Sequence, residues 1–586
     1  MSDAIDSARS FLAEDPDPTT RGELEALVAR ASSGDAEALA ELRDRFSAPL
    51  TFGTAGLRGK VEAGLARMNR LVVIKATHGF GSHLLDRRDV DARARGVVIG
   101  FDGRFSSRQF AEDAAAVLAG LGIPAHVFPD PVPTPLCAFA VRELQAAGGV
   151  MVTASHNPPK DNGYKVYRHD GAQIIPPEDE QIAARIASAP VLREIERIAP
   201  PDAAARGLRR NVDDAAEQAY LAGLRRASFH ATDQTPLRIV YTAMHGVGHR
   251  IALRAFQQAG FRGVATVPSQ ADADGSFRTV AFPNPEEKGA MDLALALAEE
   301  VGAELVLAND PDADRLAVAV TARDGKGYRM LSGNEIGWLL ADDALAHAAT
   351  GGKTKQVVTT VVSSTLLSRM AKAAGAAYDE TLTGFKWIAD AERKGEERGL
   401  AFVFGYEEAL GYSVGPLVRD KDGIGAALRM AELTRFLKAR GKTLLERVDE
   451  LLVAHGLSHQ VQWSVTLAGA EVQRRMAQTM AALRENPPSA LDGSPVLRVV
   501  DGEAREERTP EGRRPIALPR SDLLSFHAED GTRLIARPSG TEPKIKFYLE
   551  TVGQAAQPAD VEATRVRLDE RCHRIKAALL QRLGLA

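Results

Sequence analysis

The 586-residue chain is poor in several features that would each have pointed to a class of protein. It has two cysteines, Cys137 and Cys572, far apart in the sequence. Such a pair builds neither a disulfide framework nor a Cys-x-x-Cys metal site. It reads as two buried bystander thiols in a reducing compartment. The chain also lacks any run of about 18 or more apolar residues, so no membrane span is expected. Its first twenty residues (MSDAIDSARSFLAEDPDPTT) are acidic and hold no apolar signal-peptide core, so a cytoplasmic location is expected. A basic excess is missing as well: 73 Lys and Arg stand against 78 Asp and Glu, a formal charge of −5. That excludes the electrostatic footprint of a nucleic-acid binder. A small-molecule ligand is expected, with no nucleic acid, no membrane and no obligate protein partner. At this length one core does not suffice, and several domains are expected.

Familiar site motifs are absent too. Gly352-Lys353-Thr354 would need glycine at position 347 for a phosphate-binding P-loop, and His347 stands there. Gly246-Val247-Gly248 has Ile251 where a dinucleotide fingerprint has its third glycine. Ser155 is not framed as Gly-x-Ser-x-Gly, so it lacks the nucleophile elbow of an α/β-hydrolase.

What is present is a βα rhythm. The first fifty residues read as helices. Residues 96–102 (GVVIGFD) form an apolar run ending in a turn. Residues 107–121 have helical spacing, 125–128 read as a strand, and 134–147 as a helix with Pro135 in its first turn. Residues 149–153 (GVMVT) are a third strand, running directly into Ala154-Ser155-His156-Asn157-Pro158. Strand, helix, strand in alternation implies parallel pairing through right-handed crossovers, with ligands beyond the carboxyl ends of strands. Ser155 lies at such an end. The Pro-, Ala- and charge-rich stretch 195–211 reads as a first boundary. The rhythm resumes with strands at 237–242 and 304–308, a third unit from about 332 with strands at 356–361 and 401–404, and a fourth from about 459 with strands near 461–465 and 533–537. The charged stretch 504–515 reads as a surface loop. Domains are therefore expected at 1–205 (with residues 1–50 a helical extension), 206–328, 329–456 and 457–586.

Five stretches carry chemistry. Asp310, Asp312 and Asp314 alternate after a strand. Three carboxylates so close repel unless a cation sits between them, and all-oxygen ligation suits Mg²⁺ before Ca²⁺. A calcium-loop reading fails, because its glycine and glutamate positions hold Arg315 and Thr321. The alternative is a solvated acidic turn. In TASHNPPKDNGYKVY, Ser155 stands beside His156, with Lys165 ten residues on. A lysine near a phosphate serves as donor, or as acid or base if its pKa is lowered. A polar turn capped by Asn-Pro would look similar. Arg537-Pro538-Ser539-Gly540-Thr541 offers a guanidinium, two hydroxyls and a glycine backbone, a phosphate cradle or an ordinary turn. Arg58 in GTAGLRG resembles it. Glu407-Glu408 in GYEEALGY follows a strand, either as sugar-hydroxyl acceptors or as an exposed acidic helix start.

Taken in chain order, these pieces resemble the α-D-phosphohexomutase family. TASHNPP…NGYKVY is similar to its phosphoserine loop, DPDADR to its metal loop, GYEEALGY to its sugar loop and RPSGTEPK to its distal phosphate loop. The resemblance spans about Phe52 to Tyr548. FGTAGLRG, TGFKW and GYEEALGY are most similar to a branch holding bacterial α-phosphoglucomutases and phosphoglucomutase-2-like proteins. It implies three related mixed-sheet α/β domains and a smaller C-terminal α+β domain around a central cleft. It implies an intramolecular phosphotransferase interconverting α-D-glucose 1-phosphate and glucose 6-phosphate, or the pentose or mannose counterpart. A sugar-phosphate-binding paralogue without activity is the remaining alternative. Mg²⁺ would be the cofactor and glucose 1,6-bisphosphate the activator and intermediate. By the same resemblance Ser155 is the phosphoryl carrier and binds Mg²⁺ with Asp310, Asp312 and Asp314. Arg58, His156, Lys165, Arg315 and Lys421 surround the transferring group. Glu407 takes sugar hydroxyls, with Lys386 nearby, and Arg537, Ser539, Gly540 and Thr541 hold the other phosphate. One position departs: many members have serine two residues after the sugar-loop Glu, and here it is Ala409. One hydroxyl contact to the sugar is thereby lost.

Overall fold

The runs Val97–Phe101 and Gly148–Val152 are buried at every position, the pattern of central strands covered on both faces. They pair in parallel in a computed structural model that describes residues 2–53, 56–466, 472–539 and 544–585. The chain divides into two compact units. Unit 1 comprises Met1–Gly333, Gly384–Lys394 and Phe402–Arg440, and unit 2 Asn334–Thr383, Gly395–Ala401 and Gly441–Ala586. Residues 329–456 contribute to both.

Unit 1 begins with three helices, α1 (Ser2–Glu14), α2 (Pro18–Ser32) and α3 (Ala36–Arg45). Asp17 and Asp35 cap α2 and α3 by accepting backbone N–H bonds, an arrangement worth about 1 kcal/mol each. Phe11, Leu24, Leu27 and Leu42 pack against Leu71, Ile74, Val117 and Ile195, so the bundle is part of the following layer.

That layer holds a mixed sheet: β1 (Leu57–Lys60), β2 (Val97–Phe101), β3 (Ala125–Val127), β4 (Gly148–Val152), β5 (Asp161–Arg168) and β6 (Arg209–Asn211), in the order β1-β5-β4-β2-β3-β6. The pairs β2–β3, β2–β4 and β3–β6 are parallel, and β5 runs antiparallel to β4 and β1. Val97, Ile99, Phe101, Val150 and Val152 form the core with Phe80, Phe110 and Leu118 of the covering helices. Each such side chain contributes about 1.5–3 kcal/mol by burial. The stretch expected as a boundary instead carries a short helix, Pro200–Ala205, and β6, the edge strand of this sheet. Its charges are tolerated because an edge strand faces solvent.

The second sheet, β7 (Ile239–Thr242), β8 (Val264–Thr266), β9 (Leu305–Ala308), β10 (Ala317–Thr321) and β11 (Tyr328–Met330), has the order β11-β10-β9-β7-β8. Its first three strands pair in parallel and β10 and β11 fold back antiparallel. Unit 1 also takes in the strand Ala401–Glu407 from Phe402 onward, paired antiparallel with Gly411–Ser413, and the helix Gly423–Lys438.

In unit 2, Lys355–Thr360 and Ala377–Thr381 pair in parallel. An antiparallel sheet then runs Leu457–Thr466, Lys544–Gly553, Arg533–Pro538, Leu524–Ala528, Ser494–Asp501, Glu506–Thr509 and Gly512–Pro515. Its last two strands occupy 504–515, expected as a surface loop. The reason is cross-strand charge pairing: Glu507 faces Arg514 at 3.3 Å and Glu506 reaches Arg513 diagonally at 3.5 Å, which supports a solvated hairpin without apolar alternation. Within this unit Glu550, 1 % exposed, accepts from Ser364 Oγ, Ser458 Oγ and the Thr365 N–H and pairs with Arg533 at 3.0 Å.

Cys137 and Cys572 are free and buried, as expected. No helix among the described residues is long and apolar enough to cross a membrane.

Candidate active site

The parallel strands of unit 1 deliver the candidate residues at their carboxyl ends. β4 ends at Val152, and Thr153 and Ser155 follow. Ser155 is 2 % exposed and takes a left-handed backbone, φ +51°. A side-chain-bearing residue there stores about 1–3 kcal/mol of strain. Its N–H donates to Thr153 Oγ1 at 2.8 Å. Its hydroxyl donates to Asp310 Oδ2 at 2.7 Å, and its Oγ lies 3.1 Å from His156 Nδ1.

β9 ends at Ala308 and turns into the Asp loop. Asp310, Asp312 and Asp314 are all fully buried, and one oxygen from each lies within 4.8 Å of the others. Lys165, on β5 and fully buried, donates to Asp312 Oδ2 at 2.8 Å and Asp314 Oδ2 at 2.9 Å. Thr134 Oγ1 donates to Asp312 Oδ2 at 2.7 Å, and Lys421 Nζ stands 3.0 Å from Asp314 Oδ2. The other oxygens, Asp312 Oδ1 and Asp314 Oδ1, are buried and have no hydrogen-bond partner among the described residues. Orphaned buried carboxylate oxygens are costly. With one oxygen of each of the three carboxylates within 4.8 Å of the others, the cluster is an all-oxygen donor set that fits a hard divalent cation.

Electrostatics follow from this crowding. Burial, then the neighbouring Asp312 and Asp314 charges, holds the Asp310 carboxyl well above its usual range. Burial opposes the charge on Lys165, but Asp312 and Asp314 outweigh it and its pKa is raised. Lys421 is raised the same way, burial being overcome by Asp314. Both lysines are thus fixed cations. Burial, reinforced by Arg315 and Arg58, pushes the His156 imidazole well below its usual range and keeps it neutral at pH 7.

Arg58 reaches the same place because Gly56 permits it. At Gly56, φ is +86° and a Cβ would lie 2.4 Å from the Tyr164 carbonyl oxygen, so only glycine lets this loop close on β5. Arg58 Nη1 lies 3.4 Å from Asn157 Oδ1, and its Nε is buried without a partner among the described residues. Arg315 Nε is likewise orphaned, and its Nη1 stands 3.5 Å from Glu286. Unpaired donors beside a serine suit an oxyanion.

Glu407 ends its strand, 9 % exposed, and its Oε1 accepts from the Gly384 N–H at 2.7 Å. Burial raises its pKa against the pull of Lys421. Lys386 stands 3.7 Å from Asp179 and lines a small recess with Phe52, Gly53, Gly56 and Gln173. In unit 2, Arg537 Nη2 donates to Tyr548 Oη at 3.2 Å, its Nε is buried without a partner among the described residues, and the Ser539 N–H donates to the Lys544 carbonyl. Gly540 and Thr541 lie outside the described residues.

Sequence reasoning missed Thr134, Asp102 and Arg104. Asp102 and Arg104 follow β2 at its carboxyl end, the positional signal that singled out Ser155.

Fold and site together define an α/β protein with a buried carboxylate triad beside a serine, and comparison with known proteins places the family. The four domains of the phosphoglucomutase/phosphomannomutase family match in order: α/β/α domain I at residues 49–191, domain II at 218–325, domain III at 332–454 and the C-terminal domain at 471–568. The chain is 40% identical over 513 residues to a probable phosphomannomutase of Haemophilus influenzae, covering 86% of this chain and 96% of that one. It is 35% identical over 592 residues to mouse phosphopentomutase, covering 96% and 92%. A crystallised phosphomannomutase candidate from Thermus thermophilus superposes with a TM-score of 0.65 at 25% identity, covering 90% of this chain and 99% of that one. The chain belongs to this family, the α-D-phosphohexomutases, and is an enzyme of the mutase class.

Proposed function

We propose that the protein is a phosphoglucomutase, interconverting α-D-glucose 1-phosphate and glucose 6-phosphate through a phosphorylated Ser155. The observation that carries this reading is the Ser155 hydroxyl itself: 2.7 Å from Asp310, within a triad of buried carboxylates, with the orphaned guanidinium nitrogens of Arg58 and Arg315 in the same unit. Phosphoryl transfer asks for positioned oxygens and charge neutralisation more than for covalent chemistry.

In the forward direction the phosphorus–Oγ bond of phospho-Ser155 breaks as a bond forms to the 6-hydroxyl oxygen of glucose 1-phosphate, and the proton that hydroxyl gives up ends on the departing Ser155 Oγ, with His156 placed to pass it. Glucose 1,6-bisphosphate then reorients, and its 1-phosphoryl group passes to Ser155 Oγ, leaving glucose 6-phosphate. His156, neutral and 3.1 Å from Oγ, is placed to hold the serine proton during the return step. Lys165 and Lys421 stay charged and hold Asp312 and Asp314 in place. Asp310, Asp312 and Asp314 would hold Mg²⁺, which when bound supplies charge neutralisation at the seryl phosphate oxygens. Arg537 and Ser539, with Gly540 and Thr541, are proposed to bind a substrate phosphate. The two free, buried thiols support a reducing, cytoplasmic setting.

A second reading, phosphopentomutase, is favoured by the sugar loop. One Glu407 oxygen is committed to the Gly384 N–H, and Ala409 offers no hydroxyl. Fewer polar groups hold the ring, so hexose and pentose are less sharply separated. A coupled assay with glucose 1-phosphate, Mg²⁺ and trace glucose 1,6-bisphosphate tests the main reading, and kcat/KM on ribose 1-phosphate and mannose 1-phosphate ranks the alternatives. No turnover of any of the three, or full activity in Ser155→Ala, would overturn it.

A further inference from the structure

One side chain bonds four backbone carbonyls of the serine loop. Arg104 is 4 % exposed and comes from the turn after β2. Its Nη1 donates to the carbonyl oxygens of Pro158 at 2.7 Å and Asp161 at 2.9 Å. Its Nη2 donates to those of Ser155 at 2.7 Å and Asn157 at 2.6 Å. Four carbonyls of one loop thus converge on one guanidinium, whose rigid planar fork suits such a set.

The clamp is itself anchored. Asp102 Oδ2 faces Arg104 Nε at 3.2 Å. The same carboxylate accepts from the Arg104 N–H and from Ser107 Oγ and Thr153 Oγ1. Thr153 Oγ1 in turn accepts the Ser155 N–H. Ser155 is therefore held at both backbone polar groups: its N–H through Thr153 and Asp102, its C=O by Arg104. The Phe277 ring lies 5.0 Å from the guanidinium carbon.

We infer that Arg104 is a positioning residue for the phosphoryl carrier: it locks Ser155 in its left-handed backbone so that Oγ keeps one position through loading and unloading. This rests on the reading of Ser155 as carrier. Arg104 meets the loop through carbonyl oxygens, so its effect falls on the rate of transfer rather than on substrate binding. An in-line displacement tolerates little misplacement, and a shift on the order of 1 Å costs roughly 10²-fold in rate.

The test compares Arg104→Met and Arg104→Lys with the unsubstituted enzyme, each quantified as folded protein. Two quantities are read: steady-state kcat and KM on glucose 1-phosphate, and the single-turnover rate at which Ser155 takes phosphate from glucose 1,6-bisphosphate. Arg104→Met should lose about 10²-fold in both kcat and the loading rate, with KM within about twofold. Arg104→Lys, which keeps the charge and some of the donors, should fall between. If Arg104→Met yields no folded protein, the lysine variant carries the test, with a reduced loading rate at unchanged KM. Loading and turnover at the unsubstituted rate in the variants, or a rise in KM with kcat intact, would overturn the clamp. Failure of the unsubstituted enzyme to take phosphate on Ser155 would instead overturn the carrier reading on which the clamp depends.

Discussion

Lys165→Met removes the one cation that, among the described residues, is paired with both Asp312 and Asp314. The ammonium is fully buried and bonded to both carboxylates at 2.8 and 2.9 Å, and Lys421 reaches only Asp314 among these two, at 3.0 Å. Methionine fills most of the volume, so the loss is electrostatic. Breaking a buried pair by deleting one partner costs about 3–5 kcal/mol. The cost has a ceiling, since a stranded carboxylate escapes it by taking a proton. Raising one carboxyl from its ordinary value to near pH 7 costs about 4 kcal/mol, so both routes agree. The sign with pH follows. With the lysine gone, the folded-state carboxyl sits above its unfolded value of about 4. The native state then binds more protons across that window, and stability falls as pH rises through it. The deficit should therefore be largest at pH 7–8 and fade towards pH 4–5. A divalent cation should restore part of it by binding the same oxygens in the native state only. The assay is the thermal transition of unit 1, compared between variant and parent at pH 5 and pH 7.5, with and without Mg²⁺. At roughly 1–2 °C per kcal/mol for a unit of this size, the Tm should drop by about 5 °C at pH 7.5. An unchanged Tm at pH 7.5, or a drop of equal size at both pH values and insensitive to Mg²⁺, would refute the buried-charge origin of the effect.

Two further outcomes are expected. Burial pushes the Asp422 carboxyl up to about 6, against hydrogen bonds from the Gly425 N–H and Tyr220. Between about pH 4 and 6 the folded state holds the extra proton, so this residue lowers stability by up to about 3 kcal/mol as pH rises; Asp422→Asn should flatten that slope in denaturant titrations. Gly56→Ala should cost at least about 1–2 kcal/mol for the left-handed backbone alone. With its Cβ 2.4 Å from the Tyr164 carbonyl oxygen, it should also displace Arg58 and lower kcat.

The βα alternation was legible because buried parallel strands are short apolar runs that stop at turn residues, as at Gly100–Asp102 and Val152–Ser155. From that alone Ser155 and the Asp loop fell at carboxyl strand ends, where the structure has them. Strand partners were not legible. β5, β10 and β11 pair antiparallel, and the edge strand β6 lies in a stretch whose charge and proline read as a boundary. The 506–515 hairpin escaped because its strands are held by opposite charges rather than apolar alternation. Arg104 escaped for a different reason: its four partners are backbone carbonyls, which leave no mark on residue identity. The neutral His156 and the raised Asp310 arise from burial beside particular charges, and so depend on tertiary placement.

The most direct measurement is the location of phosphate after brief exposure to glucose 1,6-bisphosphate and Mg²⁺, read by peptide mass spectrometry. Phosphate should appear on Ser155 of the TASHNPP peptide and leave it when excess glucose 1-phosphate is added, as glucose 6-phosphate forms. Phosphate on another residue, no phosphate on a protein that turns over substrate, or full turnover by Ser155→Ala would contradict the assignment of Ser155 as the phosphoryl carrier.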